Sequence, residues 1–442
     1  MAYDNTWNSA DQIPLRAVKQ DLVSEFGSLD NTLGGNSSRY SLSGNWQSEN
    51  VKASAYIINY DLNLYSNFSY FLNDPINGDQ FNQQDNRTVS GGELSYQFDS
   101  NNFAINMQHT VGIELRHDNI DNVGLYNSQA KKILSTVRQD SVKETSYSSY
   151  WQSRLLLTPQ LEATIGVRYD YFDTTVNSNN ALNSGTANDD LVSFNGSLNY
   201  LISDSLAAYA NWGQSFHSND ARGATISVDP VTLNKAQKVD LLVKSEGAEI
   251  GLRYFDEQKF NISTALWWLT LDSELLFIGD AGNTEASDAS QRYGLEISAY
   301  YWLNNSFSID AETSFTHSRL DINDKNDYIE GAVAVVASSG INWHINKQWQ
   351  SSLRVRHIGK RTLTDDGSKR SNPLTVINSL VSYSQAHWKV DFELLNLFNS
   401  NDHDIDYYYT SRLPGENSEG IADNHFHPIE PRTARLSFSL LF

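Results

Sequence analysis

The last twelve residues, PRTARLSFSLLF (Pro431–Phe442), restrict the fold more than any other segment. Leu436, Phe438, Leu440 and Phe442 alternate with polar Ser437 and Ser439. A strand has a side-chain period of two, so the four apolar groups share one face, and no turn follows them. Soluble domains seldom leave such a strand bare, because an exposed edge recruits other chains. A membrane barrel pairs that edge and turns the apolar side chains into lipid.

The same alternation recurs along the chain. Leu161, Ala163, Ile165, Val167, Tyr169 and Tyr171 oppose Glu162, Thr164, Arg168 and Asp170. Val192, Phe194, Leu198, Tyr200 and Ile202 oppose Ser193, Asn195, Ser197 and Asn199. Tyr293, Leu295, Ile297, Ala299, Tyr301 and Leu303 oppose Glu296 and Ser298. Trp388, Val390, Phe392 and Leu394 oppose Lys389, Asp391 and Glu393. Full charges on the polar faces suit a watery lumen and not the dry interior of a β-sandwich. No run of eighteen apolar residues occurs, which excludes a membrane helix. Barrel strands escape that test, since their apolar and polar residues average out. The chain carries 23 Tyr, 19 Phe and 10 Trp, residues favoured in strands and at membrane interfaces. It has no Cys, so disulfides, thiol chemistry and cysteine metal sites are excluded. A net charge of -21 argues against nucleic acid as a partner. Acidic loops of this kind either hold divalent cations at an anionic surface or serve solubility.

Short polar turns are expected at Ser48–Val51, Asp99–Asn102, Thr158–Gln160, Ser203–Ser205, Glu257–Lys259, Asn304–Asn305 and Asn346–Gln348. Longer loops alternate with them, at Ala10–Ser37, Asn73–Asn86, Asn177–Asp190, Asn219–Lys244, Gly279–Ser290, Ile322–Glu330, Gly367–Pro373 and Leu413–Pro431. Short turns at one rim and long loops at the other are the habit of outer-membrane barrels. The expected fold is therefore all-β, an antiparallel transmembrane β-barrel of roughly 18 strands in one domain spanning residues 1–442. Segments such as Val51–Leu72 and Phe103–Tyr126 exceed what a bilayer needs and would project on the loop side.

Several stretches resemble one family. They are DNTWNSADQIPLRAV (Asp4–Val18), SRYSLSG (Ser38–Gly44), NWGQSFHSNDARG (Asn211–Gly223), GAEIGLRY (Gly247–Tyr254), RYGLEIS (Arg292–Ser298), LLNLFNSNDHDIDYYY (Leu394–Tyr409) and the terminal strand. Together they look like the C-terminal part of the barrel of a TonB-dependent outer-membrane receptor. The resemblance implies a barrel of about 22 strands, short periplasmic turns, long extracellular loops and a plugged lumen. It also implies an N-terminal plug preceded by a box that contacts the energy-transducing partner. Here AYDNTW reads as a strand already in the barrel. A plug, a partner box, about four strands and a signal peptide are therefore expected to be missing. The alternative is a smaller, complete, porin-like barrel.

The implied function is active uptake of a scarce solute, such as a siderophore-like metal chelate, at the outer membrane of a Gram-negative bacterium. A plug-less barrel alone is not expected to couple transport. The implied partners are outer-membrane lipid and lipopolysaccharide, a small-molecule solute, and TonB only through the missing plug. The barrel-assembly machinery is a further one, reading Leu436, Phe438, Leu440 and Phe442. No cofactor is expected.

Candidate solute contacts concentrate near the end of the chain. Asp402, His403, Asp404, Asp406, Tyr407, Tyr408 and Tyr409 are types that bind metals or phenolic ligands, and the loop beyond adds Arg412, His425 and His427. His and Asp suit a divalent ion and Arg412 a carboxylate, although no spacing matches a strict metal motif. The competing reading is solvated loop residues at an aromatic rim. His217, Asp220 and Arg222 form a second polar cluster, read as structural hydrogen bonding. Arg168, Arg354 and Arg356 are expected to pair with luminal carboxylates. Trp267 and Trp268 are adjacent, so one faces lipid, where with Tyr169 and Tyr171 it fits an interfacial girdle. GNSSRYS (Gly35–Ser41) lacks the second glycine of a nucleophile elbow, and no phosphate cradle or paired helix histidines occur. A barrel hydrolase is thus the weakest of the three readings.

Overall fold

A computed structural model describes residues 2–8, 12–102, 105–256, 259–273, 275–278, 283–286 and 288–440. Its strands run as follows: β1 Ala2–Trp7, β2 Ile13–Pro14, β3 Gly34–Gln47, β4 Val51–Ser66, β5 Phe81–Asn102, β6 Ile105–Gln129, β7 Lys132–Thr158, β8 Leu161–Ser178, β9 Gly185–Ser203, β10 Leu206–Ser218, β11 Leu242–Asp256 and β12 Phe260–Leu271. They continue with β13 Leu275–Ile278, β14 Asn283–Ala286, β15 Ser290–Trp302, β16 Phe307–Leu320, β17 Val335–His344, β18 Trp349–Ile358, β19 Leu374–Ser384, β20 Trp388–Leu395, β21 His403–Ser411, β22 Ile421–Pro428 and β23 Thr433–Leu440. Two single-turn helices, α1 (Leu15–Lys19) and α2 (Ala221–Thr225), lie in loops.

Eighteen strands form one antiparallel sheet. Its ladders follow the chain from β1–β3 through β9–β10 to β20–β23, passing over the loop strands. Among the described residues no ladder joins β1 to β23. The two ends of this ribbon are instead brought together at the loop rim. There β2, which follows β1, pairs with β22, which precedes β23. The all-β antiparallel barrel architecture and the count of eighteen wall strands agree with the sequence reading.

The faces sort as the alternation demands. Leu436, Phe438 and Leu440 are 73%, 64% and 59% exposed, on the face that lipid would cover. Phe442 lies outside the described residues. On β8 the outward row is Ile165, Val167, Tyr169 and Tyr171, with Trp151 and Tyr147 beside it on β7. One step further up, the outward residues are polar, Thr145 and Asp173, followed by Lys143 and Thr175, so the apolar band ends there. The inner row carries Arg168 and Asp170. Trp268 stands opposite Tyr293 on the outer face, while Trp267 points inward opposite Gly294.

Strand lengths exceed the bilayer requirement. β5, β6 and β7 have 22, 25 and 27 residues, against about 9–11 for a tilted crossing. The excess rises on the loop side, where α2 and its flanks fold against the inner wall. Val142, Val176, Ala221, Ala224, Leu241 and Leu242 make a small apolar core there.

Some expected boundaries move. β5 runs through Asp99–Asn102, where a turn was expected. β8 and β9 extend into the expected loop Asn177–Asp190 and leave only a 3-10 turn, Ala181–Asn183, at their tip. β6 and β7 join through Ala130 and Lys131 alone, both at positive φ (48° and 62°), so one connection on the loop rim is a tight hairpin. The loop expected over Leu413–Pro431 contains β22. Of the turn expected at Glu257–Lys259, the first two positions lie outside the described residues, as do several of the Gly279–Ser290 loop.

Candidate functional site

Polar side chains converge in two places, the loop-rim sheet β2–β22–β21 and the inner wall beneath α2. The first holds every solute candidate named from the sequence. Pro14 blocks continuation of β2 and starts α1, which places Arg16 under the sheet. Arg16 is 9% exposed. Its guanidinium donates to both Glu416 carboxylate oxygens (2.8 and 2.9 Å) and to the Ser411 carbonyl (2.9 Å), and its backbone N–H donates to Asp423 (2.8 Å). The bidentate Arg16 pair holds the Glu416 carboxyl below its ordinary range.

His425 is fully buried and stacks on Tyr409, with centroids 3.7 Å apart. Its Nδ1 is 3.0 Å from the Asp423 carbonyl and its Nε2 is 2.7 Å from Ser411 Oγ. A carbonyl only accepts, so Nδ1 carries the proton and Nε2 accepts from Ser411. Burial, with Arg16 nearby, pushes His425 down to about 4, so it is neutral at physiological pH. Arg412 donates to the carbonyls of Phe71 and Glu416. These two candidates are engaged inside the protein.

The other four are placed differently. His403 meets Asp406 at 2.7 Å and stacks on Phe426. His427 and Asp404 pair at 3.0 Å with both side chains 47% exposed, and Tyr407 is 43% exposed. The structure thus brings five of the six candidates onto one small sheet, with Arg412 just past its edge, but leaves only His427, Asp404 and Tyr407 open to a solute. Among the described residues no three His, Asp or Glu side chains gather as a metal-ion set.

The inner wall carries a ladder of Arg–Asp pairs two residues apart. They are Asp85–Arg87, Arg116–Asp118 (3.0 Å), Arg138–Asp140 (2.5 Å) and Arg168–Asp170 (2.9 Å) on four consecutive strands. Residues two apart on a strand share a face. Asp220–Arg222 (2.6 Å) adds a fifth pair from the loop above. Burial pushes the Asp220 carboxyl up, but the Arg222 charge and hydrogen bonds pull it down to about 2. Asp220 also caps α2, while His217 lies across from Val243 on the next strand. Arg168 further reaches Glu114 (2.6 Å), and Arg354 pairs with Asp310 (2.8 Å), both luminal carboxylates. Arg356 has no ion pair among the described residues. The motif D-x-R or R-x-D within an alternating stretch signals these pairs in sequence. Arg16, Glu416 and Asp423 carry no such signal, because about 400 residues separate the partners.

The structure resembles ferric citrate transporter FecA in the unliganded form, with TM-score 0.76, 15% identity, and coverage of 99% of this chain and 66% of that one. It resembles the copper transporter OprC, with TM-score 0.71, 17% identity, and coverage of 93% and 66%. The ferric yersiniabactin uptake receptor FyuA from Yersinia pestis gives TM-score 0.65, 16% identity, and coverage of 92% and 61%. The chain therefore spans about two thirds or less of these proteins. No curated protein matches it. The profile described as TonB dependent receptor-like, beta-barrel matches residues 2–397. With an eighteen-stranded antiparallel wall, a charged inner face and an apolar outer face, the chain belongs to the TonB-dependent receptor β-barrel family.

Proposed function

We propose that this chain is the wall of an outer-membrane receptor that takes up a scarce solute, such as a siderophore-like metal chelate. The observation that carries this reading is the family match over residues 2–397. The folds of FecA, FyuA and OprC support it, and these are named as a ferric citrate transporter, a ferric yersiniabactin uptake receptor and a copper transporter. In this reading the solute meets the loop rim, where Tyr407, Asp404 and His427 are accessible. His403, Arg412 and His425 shape that surface from within. The barrel by itself binds without driving transport, because energy coupling through TonB requires a plug. Leu436, Phe438 and Leu440, with Phe442, serve as the strand read during barrel assembly.

The test is binding of radioiron-labelled ferric citrate and a ferric catecholate to the purified chain in detergent, with and without the substitutions Tyr407→Ala and His427→Ala. Saturable binding weakened by both substitutions is the expected result. Large, steady conductance in planar bilayers with no chelate binding would favour a passive channel and overturn the receptor reading.

A further inference from the structure

A cavity of about 480 Å³ lies on the inner wall where β5, β6 and β7 meet the segment 218–222. Seven charged side chains line it. Six are matched, as Asp85 with Arg87, Arg116 with Asp118 and Asp220 with Arg222. The seventh, Glu144, makes no hydrogen bond or ion pair among the described residues. Asn219 also lines the cavity and is 4% exposed. Its side-chain N–H donates to the Asp240 carbonyl (2.7 Å), but its side-chain oxygen accepts nothing. Leu62, Ile120, Val123 and Val142 supply an apolar wall.

The Asn219 oxygen is closed to a water-sized group, so the cavity presents one carboxyl without a partner and an apolar side. A carboxyl left without a partner in a largely enclosed lining favours a ligand that brings N–H donors. The cavity's complement is a positive head with several donors on a short aliphatic stem. We propose that this cavity binds a primary alkylammonium, its head taken by the Glu144 carboxylate. An ammonium offers three donors and no acceptor. Its bond to a carboxylate is charge-assisted, and its methylenes gain from the apolar wall. A guanidinium or ammonium already in the lining would satisfy Glu144, but Arg87, Arg116 and Arg222 are each committed to an aspartate.

The electrostatics agree. Burial, then the charge of Asp118, pushes Glu144 up to about 7, with Asp220 adding to the effect and Arg116 and Arg87 opposing it. A cation beside Glu144 would restore its charged form. Glu144 stands at the level of Lys143, above the apolar outer band. The site is separate from the loop-rim residues and does not depend on their role.

The experiment is calorimetric titration of the full chain in detergent with n-butylamine and, separately, with acetyl-lysine methylamide. Saturable binding of either at pH 8 is expected. It should weaken about tenfold at pH 6, where roughly nine tenths of Glu144 is protonated. Glu144→Gln should weaken binding at least about tenfold, while Glu312→Gln elsewhere on the inner wall leaves it unchanged. Butylamine binding alone assigns a free amine, whereas binding of the lysine derivative alone assigns a lysine side chain. Absence of binding by both at pH 8, or wild-type affinity in Glu144→Gln, overturns the proposal. Should Glu144→Gln fail to form a heat-modifiable barrel, the pH shift decides.

Discussion

At the residue scale, the loop rim is governed by groups withdrawn from water. Arg16 and Glu416 are 10% and 14% exposed as side chains. Removing one partner of such a pair leaves the other charge uncompensated, which costs about 3–5 kcal/mol. Arg16→Ala is thus expected to loosen the 411–425 segment by that amount, seen as faster amide exchange there with the wall strands unaffected. His425 gives a pH prediction. Its folded value, about 4, lies below the ordinary 6.5. The folded rim therefore binds this proton less readily than the unfolded segment does. Its contribution is intact above pH 6.5 and is lost as pH falls toward 4. Exchange of the β21–β22 amides should rise between pH 7 and pH 4.5, and His425→Gln should flatten that rise.

Elements are held by register as much as by pattern. Gly112 stands opposite Tyr150, and a Cβ added there would sit 2.3 Å from the tyrosine ring. Gly251 and Tyr209 repeat the arrangement, at 2.4 Å, on the inner face of β10 and β11. An aromatic ring laid over a cross-strand glycine pins the register. Gly112→Val must displace that ring, at a cost of about 1–3 kcal/mol, measurable as a lower urea midpoint for the folded barrel. The last strand makes a contrast between faces. Phe438→Arg puts a charge on the outer face, where the cost is about 2–4 kcal/mol at the bilayer centre and falls toward the rim; Phe438 pairs with Val390, close to the short-turn rim, so an intermediate loss of folding yield is expected. Ser437→Arg, on the inner face of the same strand, should fold in lipid vesicles with almost wild-type yield. Equal loss in both variants would contradict the assignment of faces.

For the whole molecule, the ribbon's two ends meet at the loop rim, through the β2–β22 ladder, the Arg16–Glu416 pair and the bridge between Tyr70 and Arg412. Ile13 and Phe426 are antiparallel partners there, and such partners lie about 4.5–5.5 Å apart at Cα, within reach of a disulfide. The native chain has no Cys. Ile13→Cys combined with Phe426→Cys is therefore expected to cross-link cleanly on mild oxidation and to raise the temperature at which the folded band disappears on gels. A chain in which the ends separate would fail to cross-link.

What the sequence determined by itself was whatever repeats locally. Alternation at period two, with full charges on one face, is written into each strand, so barrel class, face assignment and most turns could be read from LEATIGVRYDY or WKVDFELL. The pairing of Arg168 with Asp170 was equally legible, because i and i+2 share a face whatever surrounds them. Tertiary structure alone decided the rest. Nothing near Arg16 points to Glu416, and nothing near His425 says that it is buried neutral and not open to a solute. Glu144 differs from its fellow acids only because three arginines from other segments are already taken. Such relations depend on which distant groups share a small volume and exclude water from it, and hydrophobic periodicity along one strand carries no information about that.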